Sequence, residues 1–353
     1  MPVCLEPRNS RKKGWPLNIA KTIYSTVEYD VVYTPDITYA HRDTGDLTLQ
    51  IVSPVAPSFP VEPPAHLNPV QAKFARWHRT LGDKADSEPQ PQKAQRAPEF
   101  PLIVDCPGSG WAGADGHRHV PYLVHLAQAG FVAASVSYRG TYRDNVVFPA
   151  AVQDLKEAVR YLCSHADVFH IDTDRVGLLG DSSGGNTAAM AALAGDHDTL
   201  LDMPDRSFAF GACLSEAVQA KACCCVYGPV DLIHLVEDRI AENKPLRPDE
   251  EPGLPFEAME IWQDTYLSDP AKYLRAASPL YYIERAKTLP PFLYVIGDED
   301  PIIPVAQGLR FCDALRARGG KAELIKVAGA GHGNGVWGSE MLQEVIRFFK
   351  AYL

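Results

Sequence analysis

The chain has 353 residues and is 46% hydrophobic, which supports one large core with insertions or two domains. Its formal net charge is -10 with no compensating basic face, which argues against nucleic acid as a partner. No apolar run of about eighteen residues is present, so neither a membrane-spanning helix nor a membrane partner is expected.

At the N-terminus, Met1 to Leu17 carries Arg8, Arg11, Lys12 and Lys13 without an apolar core behind them, unlike a secretory signal. The eight cysteines include Cys223, Cys224 and Cys225 in an apolar run and no C-x-x-C pair. Buried thiols in a reducing, cytoplasmic compartment are expected, and no metal site. Tyr24 to Tyr33 and Leu47 to Val52 read as two antiparallel strands, with a turn at Asp43-Thr44-Gly45-Asp46 before the second. Residues 53–99 carry prolines at 54, 57, 60, 63, 64, 69, 89, 91 and 98 and read as a proline-rich insertion between strands. Within it, Val70 to Leu81 suggests a short helix and Lys84 to Ala97 a mobile stretch, with covering the active site as a candidate role.

From Phe100 the pattern is regular. Strands are expected at Leu102 to Cys106, Phe131 to Val136, Arg175 to Leu179, Ala220 to Tyr227, Phe292 to Ile296 and Ala322 to Val327. Helices are expected at Val120 to Ala129, Ala150 to Cys163, Ser183 to Ala194, Val305 to Arg318 and Val336 to Leu353. In Ala150 to Cys163, Val152, Leu155, Ala158, Val159 and Leu162 form one stripe. The alternation predicts an α/β, doubly wound, mostly parallel sheet in a single domain over 1–353. Chemistry should lie at the carboxyl ends of the strands. Residues 232–289 interrupt the alternation and read as a helical cap insertion. Their many acids are expected on a solvated face, and aromatics such as Phe256 and Trp262 could line a pocket.

Val176 to Asn186 is the centre of the chain: an apolar run, then Gly180-Asp181-Ser182-Ser183-Gly184-Gly185, then a helix former. A nucleophilic serine at a tight strand-to-helix turn needs neighbours without side chains two positions either side. Ser182 meets this with Gly180 and Gly184; Ser183 would have Asp181 on one side. A serine needs a base, and the base an orienting acid. His332 lies on Gly329-Ala330-Gly331-His332-Gly333 after the last strand, and Asp298, Glu299 and Asp300 follow the strand before it. Asp300, beside Pro301, is the preferred acid because it can reach across the loop; Asp298 and Asp231 are rivals.

Oxyanion donors are expected from Pro107-Gly108-Ser109-Gly110-Trp111, through the amides of Ser109 or Gly110, together with that of Ser183. Gly108 and Trp111 are candidate substrate contacts, although packing is the plainer reading for Trp111 and Tyr138. His117 and His119 follow this loop and could touch substrate, but surface histidines are the plainer reading.

These stretches together carry a resemblance. Pro107 to Trp111 resembles the H-G-G-G-W loop of α/β-hydrolase esterases, with Pro107 and Ser109 replacing the histidine and the second glycine. Ser135-Val136-Ser137-Tyr138-Arg139 looks like their S-V-x-Y-R, and Phe148-Pro149 to Asp154 like their F-P-x-x-x-x-D. The chain is similar to hormone-sensitive-lipase-like carboxylesterases, and closer to the acetyl-xylan and feruloyl esterase-like branch, where D-P-x-x-P surrounds the acid. The resemblance covers Phe100 to Leu353. It implies the α/β-hydrolase fold and a serine esterase acting on short-chain or aromatic acyl esters of sugars or small alcohols. It implies no cofactor, a small-molecule ester as the partner, and leaves homo-oligomers open. An amidase or peptidase of the arylformamidase type would use the same triad, and a binding-only protein is a third reading.

Overall fold

The computed structural model describes residues 28–55, 98–194, 201, 219–248 and 250–353. Strand β1 (Asp30–Arg42) and strand β2 (Gly45–Val55) form an antiparallel hairpin, closed at Asp43 and Thr44 inside the expected turn. β1 runs well past Tyr33, because Pro35-Asp36 is absorbed as a bulge rather than ending the strand. Asp36 takes φ 54°, and the buried Gln50 side chain holds the bulge. It accepts from Tyr33 Oη at 2.8 Å and from the Asp36 amide at 3.2 Å, and donates to Asp36 Oδ1 at 3.1 Å. The expected helix at Val70 to Leu81, the mobile stretch at Lys84 to Ala97 and the start of the strand expected from Tyr24 lie outside the described residues.

The remaining strands are β3 (Phe100–Cys106), β4 (Val132–Val136), β5 (Ile171–Asp181), β6 (Ala222–Val226), β7 (Phe292–Gly297) and β8 (Ala322–Val327). The order across the sheet is β1-β2-β4-β3-β5-β6-β7-β8. β2 meets β4 antiparallel, and every pairing from β4 to β8 is parallel. Burial on both faces explains why β3, β4, β6 and β7 are continuous apolar runs rather than alternating ones.

Helices α1 (Val120–Gln128), α2 (Ala150–Ser164) and α3 (Ser182–Ala194) follow β3, β4 and β5. The α2 stripe packs as its spacing predicts, with Val152, Leu155, Ala158, Val159 and Leu162 all buried. α3 is covered on nearly every side, which suits its run of alanines. Among the described residues, three short α-helices lie between β6 and β7: α4 (Leu235–Ala241), α5 (Phe256–Trp262) and α6 (Pro270–Ala276). Helix α7 (Val305–Ala317) leads into β8, and α8 (Ser339–Tyr352) ends the chain.

The acidity of the segment between β6 and β7 is not only a solvated face, which corrects the expectation. Arg239 on α4 is buried, and its guanidinium is held by Glu250 and by Glu257 on α5. Asp238 and Asp231 together hold Arg310 of α7. These acids therefore tie the helical segment to itself and to the sheet-flanking helix. Two of the motif matches also meet. Arg139 donates its amide and its guanidinium to the buried Asp154 of α2, with Nη2 to Oδ1 at 2.8 Å. A paired, fully buried carboxylate fixes how β4 runs into α2.

Candidate active site

Ser182 sits where β5 turns into α3, at the carboxyl edge of the central strands. Its φ of 52° is a strained value for a non-glycine residue, of the kind that persists only where surrounding structure enforces it. The flanking glycines are demanded by space. A Cβ on Gly180 would lie 2.3 Å from the Gly184 carbonyl oxygen, and one on Gly184 would lie 1.9 Å from that of Cys106.

His332 Nε2 lies 2.8 Å from Ser182 Oγ. His332 Nδ1 lies 2.8 Å from Asp300 Oδ2. Asp300 is fully buried, and its other oxygen accepts from the amides of Ile302 at 2.8 Å and Ile303 at 2.9 Å. With the carboxylate locked this way, Nδ1 carries the proton and Nε2 is left to accept from the serine hydroxyl. Asp298, the rival acid, is placed elsewhere. Its Oδ1 accepts from the Gly329 amide at 2.7 Å and so ties the acid loop to the histidine loop. Asp231, the other rival, holds His234 at 2.7 Å and Arg310 at 3.0 Å.

The loop after β3 lies over the serine. Tyr138 Oη donates to the Pro107 carbonyl at 2.6 Å and meets Ser109 Oγ at 3.0 Å. Tyr138 is fully buried and braces this loop, in line with its reading as packing. The Gly108 amide donates to Asp181 Oδ1 at 2.5 Å. The Ser109 amide donates to Ser183 Oγ at 2.8 Å, which corrects its expected place among the free donors. The side chain of the second serine competes for it, a contact the backbone pattern could not reveal. Gly110, at φ 61°, has no amide partner among the described residues. Ser183 stands in the first turn of α3, where amides lack intrahelical acceptors. Trp111 is buried and lines the cavity, and its carbonyl accepts from the Thr141 amide at 2.8 Å.

The cavity above Ser182 measures about 570 Å³. Tyr122, Tyr227 and Trp337 line it, together with Arg118, Glu257 and Glu260. Glu260 lies against the loop after β3: its Oε1 is 3.1 Å from where a Cβ on Gly110 would be. Burial, reinforced by Glu257, pushes its carboxyl up to about 7, although Arg247 at 3.6 Å opposes the shift. Glu257 and Glu260 were not singled out as site residues, since acids in an acidic helix carry no positional mark in the sequence.

His117 is exposed as expected, paired with Asp115 and Asp36. His119 is not a surface histidine. It is 3% exposed, with Nδ1 2.9 Å from Asp105 Oδ2 and Nε2 3.5 Å from Asp181 Oδ1. Its partners are acids near the ends of β3 and β5, which the sheet order makes neighbours, and buried carboxylates require a polar partner nearby.

With this geometry, the BD-FAE family model matches residues 90–315, well over half of the chain. The chain belongs to the BD-FAE family. The family match ends before His332, which is contributed by the loop after β8. Esterase LipQ of Mycobacterium tuberculosis is 29% identical to this BD-FAE chain over 221 residues, covering 62% of it and 46% of the relative. The isoprenylcysteine alpha-carbonyl methylesterase ICME of Arabidopsis thaliana is 26% identical over 247 residues, covering 66% of this chain and 50% of the relative. The chain thus matches about half the length of these curated relatives.

Among solved structures, a truncated carbohydrate esterase from gut microbiota superposes with a TM-score of 0.63 at 20% identity, covering 93% of this chain and 98% of its own. A propionate-bound thermophilic esterase of Thermogutta terrifontis superposes at 0.59 with 22% identity, covering 92% and 93%. At such identity these two establish the fold, which is the α/β-hydrolase fold.

Proposed function

We propose that this BD-FAE chain is a serine carboxylesterase working through Ser182, His332 and Asp300. The observation that carries the reading is the unbroken relay of 2.8 Å contacts from Ser182 Oγ through His332 to Asp300, opening on the cavity. His332 Nε2 takes the Ser182 proton as Oγ attacks the ester carbonyl. Asp300 keeps the ring in the productive tautomer and stabilises the imidazolium. The amides of Gly110 and Ser183 face the developing oxyanion; one such donor is typically worth about 10²–10³ in rate. His332 then returns the proton to the departing alcohol, and water, activated by the same nitrogen, releases the acid from the acyl-enzyme.

We assign short-chain or aromatic acyl esters of a polar alcohol as substrates. The cavity supports this: aromatic rings for a small acyl group share it with Arg118, Arg247, Glu257 and Glu260, which suit a hydroxylated alcohol better than a long alkyl chain. The relatives' names agree with ester hydrolysis as the reaction class. A cytoplasmic setting is supported by six buried, unpaired cysteines among the described residues.

Hydrolysis of a chromogenic panel (acetyl, butyryl, octanoyl and feruloyl esters, an aryl formamide and an aminoacyl anilide) tests the assignment, with Ser182→Ala as control. Turnover of the acetyl or feruloyl ester that vanishes in the variant is expected. Preference for the formamide or the anilide would move the chain to amide hydrolysis. A folded protein silent on all of them would remove the esterase reading.

A further inference from the structure

We propose that His119 is a positioning residue for the reaction at Ser182: held as an imidazolium between the Asp105 and Asp181 carboxylates, it fixes Asp181 and, through Asp181, the loop that carries the Gly110 amide. The proposal rests on the esterase reading for its kinetic consequence and on geometry alone for its charge state.

Asp105 is the penultimate residue of β3 and Asp181 the last of β5, on neighbouring parallel strands in the centre of the sheet, and both are buried. Two buried carboxylates without a cation would be costly in so dry a place. Asp105 Oδ2 accepts from Ser135 Oγ at 2.7 Å and faces His119 Nδ1, while Asp105 Oδ1 has no partner among the described residues. Asp181 Oδ2 accepts from Tyr227 Oη at 3.1 Å and has Arg118 at 3.6 Å, on a largely exposed side chain. Among the described residues, His119 is the side chain that contacts both acids. A neutral ring would have to turn a nitrogen lone pair toward one carboxylate, whereas an imidazolium donates to Asp105 and sets its other N–H as an ion-pair contact 3.5 Å from Asp181. Burial opposes the charged ring and Arg118 works against it too, but Asp105 and then Asp181 outweigh them and raise His119 above its ordinary 6.5. The other groups packed on the ring are Tyr122, edge-on at 5.3 Å, and Trp337 at 6.1 Å.

The mechanical link is short. Asp181 immediately precedes the nucleophile, and its Oδ1 receives the Gly108 amide, two residues before Gly110. Its other oxygen anchors Tyr227, whose ring lies 4.7 Å from that of His332 and whose hydroxyl accepts from Trp337 Nε1 at 2.7 Å. Losing the His119 proton removes the cation that holds Asp181 on this side, and the oxyanion loop and the ring packed on His332, both tied to Asp181, lose that part of their support.

The sign is fixed by the ring. The imidazolium, and the support it gives, is present at low pH and is lost as pH rises through a value above 6.5. Acetyl-ester turnover by the full chain should therefore fall on the alkaline side. His119→Gln should lower kcat about ten- to hundredfold at the optimum with little change in KM, and should converge on the parent at high pH. Asp105→Asn, which removes the nearer carboxylate, should move the alkaline limb to lower pH; Glu260, the other cavity group titrating in this range, would not shift with it. Imidazole NMR of the full chain reads the charge directly, whatever the enzyme turns over. The resonance missing in His119→Gln should titrate above 6.5 in the parent and lower in Asp105→Asn. A ring already neutral at pH 6, or a His119→Gln that loses the same factor at every pH, would overturn the proposal. Should His119→Gln not fold, the Asp105→Asn shift decides alone, and an unmoved limb counts against it.

Discussion

Two imidazole–carboxylate pairs serve the same serine loop. His332 meets Asp300 at 2.8 Å, and His119 meets Asp105 at 2.9 Å. Each aspartate is buried and each sits near the carboxyl end of a parallel strand, Asp105 just before the end of β3 and Asp300 just past that of β7. They differ in the third group. Facing Ser182 Oγ, His332 has a neutral hydroxyl to accept from, which is what the proposed role as a base requires. Facing Asp181, His119 has a second anion, so it serves as a cation. The chemistry of a histidine here is set by what its far nitrogen meets, more than by the aspartate both share.

Breaking the first pair should have the largest effect. Ser182→Ala or His332→Ala should lower kcat by about 10⁴–10⁶ with the fold intact by circular dichroism. A variant with near-parent turnover would remove Ser182 or His332 from the mechanism. Asp300→Asn should follow at about 10⁴, because the amide allows the wrong tautomer at the same geometry. Asp298→Asn, at the loop tie to Gly329, should cost far less, and steady-state kinetics on the two variants separates acid from strut.

The first pair was legible in the sequence and the second was not, for a physical reason. A nucleophile turn needs glycines at fixed offsets, and the acid and the base fall in glycine-rich loops just after strands, so Ser182, Asp300 and His332 carry positional marks. The parallel sheet was legible likewise, because strands buried on both faces read as short apolar runs. His119 belongs to the turn leading into α1 and finds its acids by way of the sheet order, β4-β3-β5, which no local spacing encodes. The same holds for the Ser109 amide, claimed by a side chain from another element, and for β1, where Pro35 reads as a break until Gln50 of the neighbouring strand is known to hold the bulge.

A third cluster sharpens the contrast by being ionic without touching the serine. Arg239 is buried between Glu250 and Glu257. Removing one partner of a buried ion cluster leaves an uncompensated charge and typically costs about 3–5 kcal/mol. Arg239→Met should therefore lower the unfolding free energy by about that amount in urea titration. A loss below about 1 kcal/mol would mean that the two acids simply take up protons once the guanidinium is gone.

The smallest effect concerns Glu260, whose carboxyl faces Gly110 and is pushed up to about 7 by burial and by Glu257. Below that value it is neutral and sits harmlessly beside the oxyanion loop. Above it, an anion stands next to the place where the tetrahedral intermediate gathers negative charge. Glu260→Gln should leave turnover at pH 6 nearly unchanged and raise it at pH 8 by up to about tenfold, the equivalent of about 1.4 kcal/mol of relieved repulsion. The same shift has a signature in stability. The native state holds a proton that the unfolded chain releases near its usual 4.5, so the parent loses stability as pH rises from there to about 7. The glutamine variant should lack that loss, and thermal melts at pH 5 and pH 8 would read it. Should both profiles match the parent, Arg247 already neutralises the carboxylate, and its guanidinium, at 3.6 Å, becomes the group that sets the charge of that wall.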